Sequence, residues 1–505
     1  MAHFHSNALI GASGGSGVEP PGARSIRFND DDSAFFSKTF GSTGNRTAWT
    51  WSGWVKRSSL VSSARVVLFG GYGANSDSDW LEFGFGHNNE TNDSVYMTTS
   101  ATSQGSTAVF RDLSAWYHYV ANYDGSNLKI YINNVEVLTK SLSGNRGING
   151  NWLHTVGRSP ANTIRYFDGY LTDVYFLDGT TTTPSSFASA DSNGVWQRGT
   201  FSGSYGSNGF HILDFENEAE IGDDSSGNGN DFTPNNISDT DGVGLDLLLD
   251  FPKNGSETDS GAGGEVSGNY CTWNNRNKGS NMVLKNGSLD IATTSGKSAV
   301  LGTIGMSSGK WYWETTINGS SDRTMVGIGK QGMDLSDAPG QGDALGWGYY
   351  ADGGVKRNGG TSTSYGAGFD GGGDVIGCAF DADNGTLTFY KNGSSQGVAF
   401  TGLTDGPYFP ATGDGSGVNN ANSSVNFGQR AWAYSAPSNH KALCTTNLPT
   451  PTILDGRDHF ETKLWTGNSS DQRAITGYQF SPDFVWIKRR NASYSHPIMD
   501  TVRGL

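Results

Sequence analysis

Cysteine is scarce: Cys271, Cys378 and Cys444 are the three in 505 residues. They are too few and too far apart for a disulfide framework or a closed zinc site, so stability must come from packing. Basic residues are outnumbered, 34 against 49 acidic, and the net charge of −15 gives a field that repels phosphate backbones and anionic lipid surfaces. Nucleic acid is therefore not an expected partner. No run reaches the roughly 18 consecutive apolar residues of a membrane span. The opening MAHFHSNALIGASGGSG lacks the basic n-region and long apolar h-region of a signal peptide, so neither membrane insertion nor export by the general pathway is expected. Charged residues are only 16%, short of the Glu and Lys that helix-rich chains use.

Glycine and aromatics take their place. Gly contributes 73 residues and aromatics 12%, a balance suited to short strands joined by Gly, Asn, Asp and Ser turns, and too aromatic for disorder. The length suggests about three units on a prior of roughly 150 residues each. Alternating segments begin at SIRFN and continue through Ala48 to Lys56 and Val66 to Gly70, a strand period. In Trp116 to Val137, Asp124-Gly125 and Asn133-Asn134 sit between alternating runs as the turns of a meander, and Asp383-Asn384-Gly385 and Lys391-Asn392-Gly393 repeat the signal later. The expected fold class is all-β, in tandem β-sandwiches.

Composition shifts divide the chain. Residues 1–23 are small and Gly-rich apart from Phe4, Leu9 and Ile10, and read either as a floppy tail or as a flexible anchor segment that orders when docked to a larger assembly. Residues 24–232 form a first sandwich. Residues 233–265, rich in Asn, Asp, Ser and Gly around LLLDF and Pro252, read as a linker. Residues 266–430 form a second sandwich, and residues 431–505 a β-rich segment without an evident closing strand.

WTWSGWVK at Trp49 to Lys56, WYHYVANYDGSNLKIYINN at Trp116 to Asn134 and FDGYLTDVYFLDG at Phe167 to Gly179 resemble laminin-G-like, concanavalin A-like domains. GKWYWE at Gly309 to Glu314, VGIG at Val326 to Gly329, GDVIGCAFDADNGTLTFYKNG at Gly373 to Gly393 and YFPAT at Tyr408 to Thr412 resemble a SPRY domain. The combination, with the Gly-rich start and ITGYQFSPDFVWIKRRN near the end, is similar to virion proteins of marine bacteriophages, tail fibres in particular. That resemblance implies recognition by loops at the sandwich rim or by a sheet face.

Chemistry is sparse. There is no HExxH or GxxxxGK motif, and His3 and His5 fall in the Gly-rich start. Concanavalin-like folds include glycoside hydrolases, which need two carboxylates about a sugar bond; Glu216, Glu218 and Glu220 are the nearest candidates, with a solvated loop as the preferred reading. No cofactor is expected, with calcium left open: Asp223, Asp224, Asn228 and Asp231 offer clustered oxygens, against an ordinary Asx- and Gly-rich turn. Trp347, Tyr349, Tyr350 and Asp352, with Asp334 in the preceding loop Lys330 to Ala344, make the preferred recognition rim because exposed aromatics stack on sugars, core packing being the alternative for each.

The function expected is a virion surface protein, assembled in the host cytoplasm, that binds a host envelope glycan or protein without a chemical step. The N-terminal segment would dock to other virion proteins. The fibre resemblance implies a homotrimer, though no trimerising coiled-coil repeat is present. An architectural or capsid-decorating role and a polysaccharide depolymerase are the alternatives.

Overall fold

The computed structural model describes residues 23–503 except 61–64, 87–92, 215–219, 241–242, 254–257, 295, 320–322, 370, 418–420 and 472. The anchor segment therefore lies outside the described residues, save for Ala23. Among the described residues regular structure is β, with only short 3-10 turns besides.

The first sandwich is built around Trp49–Arg57, which lies between Trp116–Tyr123 and Gly169–Asp178 in an eight-stranded antiparallel sheet. A seven-stranded sheet that includes Val66–Tyr72, Trp80–Phe85 and Leu153–Val156 faces it. Alternation sends Trp49, Trp51 and Val55 inward among Phe69, Phe83, Tyr119 and Phe176. Gly53 is required between them, since a Cβ there would sit 2.8 Å from the Trp51 ring. In Gly169–Asp178 the register slips at Asp173, whose φ is +57°. This bulge resets the alternation, so Leu171, Val174 and Phe176 face in while Tyr170, Tyr175 and Leu177 face out.

The outer face of that sheet is covered as well. Phe187, Phe201 and Tyr205 close over Tyr175 and Leu177, and the second sandwich covers Trp54, Trp116 and Tyr170. Beneath this cover, burial drives the His118 imidazole down to a pKa of about 3. The ring is therefore neutral: Nδ1 accepts from the Trp196 indole at 3.1 Å, which leaves Nε2 to donate to Ser52 Oγ at 2.8 Å.

Two seven-stranded sheets make the second sandwich. One has Thr324–Gly329 between Phe409–Asp414 and Gly346–Tyr350; the other has Lys310–Ile317 between Val375–Asp381 and Asn422–Asn426. Trp313, Ile317, Val326, Ile328, Cys378 and Phe389 fill the space between them. The hairpins turn where the sequence places them. Asn133 and Asn134 have φ of +47° and +66°, and Asn392 and Gly393 have +47° and +78°, the paired left-handed conformation that Asn and Gly adopt most readily.

Two boundaries differ from the sequence reading. Residues 233–265 are not a free linker: Thr233–Asn235 extends the facing sheet beside Phe35–Thr39, and Leu247–Leu248 pairs with Ser25–Phe28. Their polar residues serve turns and buried pairs, such as Asp246 with Arg27 at 3.0 Å. The second sandwich also continues past 430. Trp432 packs edge-on to Tyr312 with centroids 4.9 Å apart, and the backbone N–H groups of Cys271 and Tyr312 donate to Leu443 and Lys441.

Hydrogen bonds join the two sandwiches across the seam. Tyr170 Oη donates to the Gly287 carbonyl at 2.8 Å, Ser288 Oγ to Ser58 at 2.8 Å, and the Gly287 N–H to Asp168 Oδ1 at 3.3 Å. Burial, reinforced by neighbouring Asp30, pushes the Asp168 carboxyl up to about 7. A carboxyl raised in the folded state contributes stability that is complete below the unfolded pKa near 4 and is lost as pH climbs through 7. Asp168→Asn should remove a pH-dependent difference on the order of 4 kcal/mol. The check is the unfolding midpoint of wild type and variant at pH 5 and pH 8: the wild type falls further, and the gap between the two changes with pH.

Candidate binding groove

The residues of the expected rim are mostly turned inward. Tyr349 is fully buried among Tyr365, Phe369 and Phe389, at centroid distances of 5.1, 4.7 and 5.2 Å. Tyr350, on the opposite face of its strand, is buried with Met325 and Ala338 beneath the Arg357 guanidinium. Ala338 belongs to the Lys330 to Ala344 loop, so that loop folds down over the strand as a lid on its aromatics. Trp347 is half-buried against Tyr408 at 5.5 Å. Only Asp334 and Asp352 of this set are exposed. Asp334 Oδ1 caps Ser336, and Asp352 pairs with Arg323 at 3.0 Å. These five residues do not form a common surface of stacking rings.

The calcium candidates are engaged elsewhere. Asp224 accepts from the N–H groups of His211, Ser226 and Asn230, and Asp231 accepts from the Asp224 N–H. Asp223 accepts from the Glu220 N–H, while the Asn228 amide donates to the Gly206 and Gly209 carbonyls at 2.7 and 2.9 Å. The oxygens tie the loop to itself and to the sheet, as in an Asx turn. Among the described residues no group of three or more His, Cys, Asp and Glu is arranged to hold a metal. Glu216 and Glu218 lie outside the described residues, and Glu220 is exposed.

A serine, a histidine and carboxylates do meet beside this loop. His211 Nε2 lies 2.7 Å from Asp173, which also pairs with Arg198 at 2.9 Å, and Ser225 Oγ is 3.0 Å from His211 Nδ1. Burial works to raise the Asp173 carboxyl, but Arg198 and the His211 hydrogen bond prevail and hold it down at about 2. Ser225 donates to Asp214 at 2.8 Å, and the imidazole lies flat on Tyr175 at 3.8 Å. The packed imidazole and its carboxylate partner brace the bulge at Asp173, and the half-buried Ser225 hydroxyl is spent on Asp214.

A cavity suited to a ligand lies elsewhere. A groove of about 460 Å³ runs along the seam. One wall is the loop Thr303 to Ser308, another Pro407 and Phe409, and the third Leu448 to Thr452; Trp311 and Tyr270 line it deeper in, and Ser114 comes from the first sandwich. The Trp311 indole donates to Ser308 at 2.7 Å, holding one wall upright. Apolar surface dominates, with Ser and Thr hydroxyls spaced around it, the composition of a site that grips a face and orients it with a few hydrogen bonds. The Lys330 loop adjoins it through Lys330, which pairs with Asp405 at 2.6 Å and lies over Tyr408.

Residues 28–185 match the family model of the concanavalin A-like lectin/glucanases superfamily, and residues 310–430 match that of the SPRY domain. The chain joins a concanavalin A-like domain to a SPRY domain. Residues 455–505 match a further model, a domain of unknown function (DUF7483). Among solved structures, the SPRY domain of human HERC1 is 22% identical, with 30% of this chain and 96% of that one covered and a TM-score of 0.27. A human SPRY domain is 22% identical over 29% and 94% with a TM-score of 0.24, and the TRIM65 PSpry domain 16% identical over 31% and 92% with 0.27. No curated protein matches the chain. The concanavalin A-like match ends at 185 and the SPRY match begins at 310, so the 233–265 segment lies between the matched ranges.

Proposed function

We propose that this chain is a non-catalytic binding protein of a virion surface that holds a host envelope polysaccharide in the groove at the seam of its two sandwiches. The observation that carries the reading is the groove itself: an apolar trough ringed by hydroxyls, with no carboxylate pair among its lining residues. An aromatic or aliphatic wall receives the apolar face of a sugar, while Ser and Thr hydroxyls accept or donate at its rim. Domains of the two matched kinds are typically non-catalytic binding modules, which supports the same reading. The virion setting rests on the sequence resemblance to phage fibre proteins. Copies grouped on a particle would raise weak single-site affinity through effective concentration.

Blocking the groove tests it. Ser307 is exposed on the groove wall, so Ser307→Arg fills the trough without disturbing the core. Binding to intact host cells and to their extracted polysaccharide should weaken roughly tenfold or more, about 1.4 kcal/mol, at an unchanged unfolding midpoint. Equal binding by the variant would place recognition elsewhere.

A second reading, an architectural or decorating role, is favoured by one observation. Large apolar side chains stand uncovered after residue 452, with Phe460 74%, Trp486 63% and Val502 92% exposed, as on a surface that meets another protein.

A further inference from the structure

Lys56, Asp250 and Asn269 converge at the centre of the seam from three separate parts of the chain: the middle strand of the first sandwich, the segment after Leu247–Leu248, and the approach to Trp273–Lys278. Lys56 Nζ is 2.7 Å from Asp250 Oδ2, 2.8 Å from Asn269 Oδ1 and 2.8 Å from the Tyr270 carbonyl. Lys56 and Asp250 are each 1% exposed and Asn269 8%. Tyr170 lies under the amine at 5.5 Å, and the Trp116 indole donates to Asp250 Oδ1 at 3.1 Å. The Asn269 amide nitrogen donates to the Ser114 carbonyl at 2.6 Å. The carboxamide is thus held at both ends, with its carbonyl turned to the amine.

We propose that Lys56 and Asn269 condense into an intramolecular isopeptide bond, with Asp250 as the proton carrier. The Lys56 ammonium passes a proton to the Asp250 carboxylate, which turns a buried ion pair into a neutral amine and a neutral acid. The freed lone pair adds to Asn269 Cγ, forming the Nζ–Cγ bond. Asp250 takes up the proton that Nζ sheds and delivers its own to Nδ2, the Cγ–Nδ2 bond breaks, and ammonia leaves. One C–N bond forms and one breaks, nothing is oxidised or reduced, and ammonia is the only product lost.

The surroundings favour each step. A dry site disfavours separated charges and so promotes the proton transfer, and burial raises the Asp250 carboxyl against the pull of Lys56. Fixed neighbours replace a bimolecular encounter with an intramolecular one. Asn269 lines the groove, which gives ammonia a way out. The product would fasten the central strand of one sandwich to the segment leading into the first strand of the other.

Mass spectrometry of the purified full chain tests this without any variant. The expected result is an intact mass one ammonia below that of the sequence, and a tryptic digest containing a branched peptide that joins the segment around Lys56, uncut after that residue, to the one ending at Arg276. An intact mass equal to that of the sequence, with cleavage after Lys56, would overturn the proposal. So would loss of ammonia without the branched peptide, which is succinimide formation at some asparagine. Loss of water with a branch at Asp250 would overturn the choice of Asn269. Asp250→Asn, close in shape, should give the unlinked mass; a linked Asp250→Asn chain would remove Asp250 from the mechanism.

Discussion

Asp250→Ala should destabilise the chain by about 3–5 kcal/mol, read as a fall in the midpoint of urea unfolding. Asp250 is the acceptor for three buried donors: the Lys56 amine, the Trp116 indole and, at 3.4 Å, the Tyr270 N–H. Its removal leaves the Lys56 charge buried beside neutral groups, and also removes the proton carrier of the proposed cross-link. Adding Lys56→Met to that background should recover the part of the loss that comes from the orphaned charge, because deleting that charge costs far less than keeping it, but not the part that comes from the missing cross-link. A variant within about 1 kcal/mol of wild type would mean that the seam is solvated and the two sandwiches are independent.

Tyr349→Ala should be comparably severe, about 3–5 kcal/mol as for other large-to-small aromatic core substitutions. Its ring fills the space between Tyr365, Phe369 and Phe389, and its hydroxyl donates to the Ala367 carbonyl. On the proposed reading, the chain that remains folded should bind host polysaccharide as wild type does. The converse result, lost binding at unchanged stability, would restore Tyr349 to a recognition surface.

Tyr349 also illustrates where sequence reading stops. Hairpins were legible because Asn133-Asn134 and Asn392-Gly393 carry their backbone conformation in their own residue types. The two sandwiches were legible because strand alternation marks one buried face. What alternation does not mark is the second face. Ser52, Trp54 and Lys56 alternate with the residues that face the first core, yet all three are buried too, Trp54 in the core shared with the second sandwich. Tyr350 looked like the end of a rim, but the adjoining loop folds over it through Ala338.

The groove and the seam were illegible for a related reason. Thr303 to Ser308, Pro407, Leu448 and Ser114 come together only after both sheets have formed, and Lys56 meets Asp250 and Asn269 across 194 and 213 residues. Residues 233–265 misled by composition: Asn, Asp and Ser suit linkers, but they equally suit a segment that turns often and fills buried polar partners, as Asp246 and Asp250 do.

On the proposed reading, the folded pair of sandwiches binds an envelope polysaccharide at the seam without cutting it. The most direct test is one titration of the chain against extracted host polysaccharide, in which bound protein and newly released reducing ends are measured together. Saturable binding with reducing ends level with buffer is the expected result. Release of reducing ends, or no binding to any envelope fraction, would contradict the account.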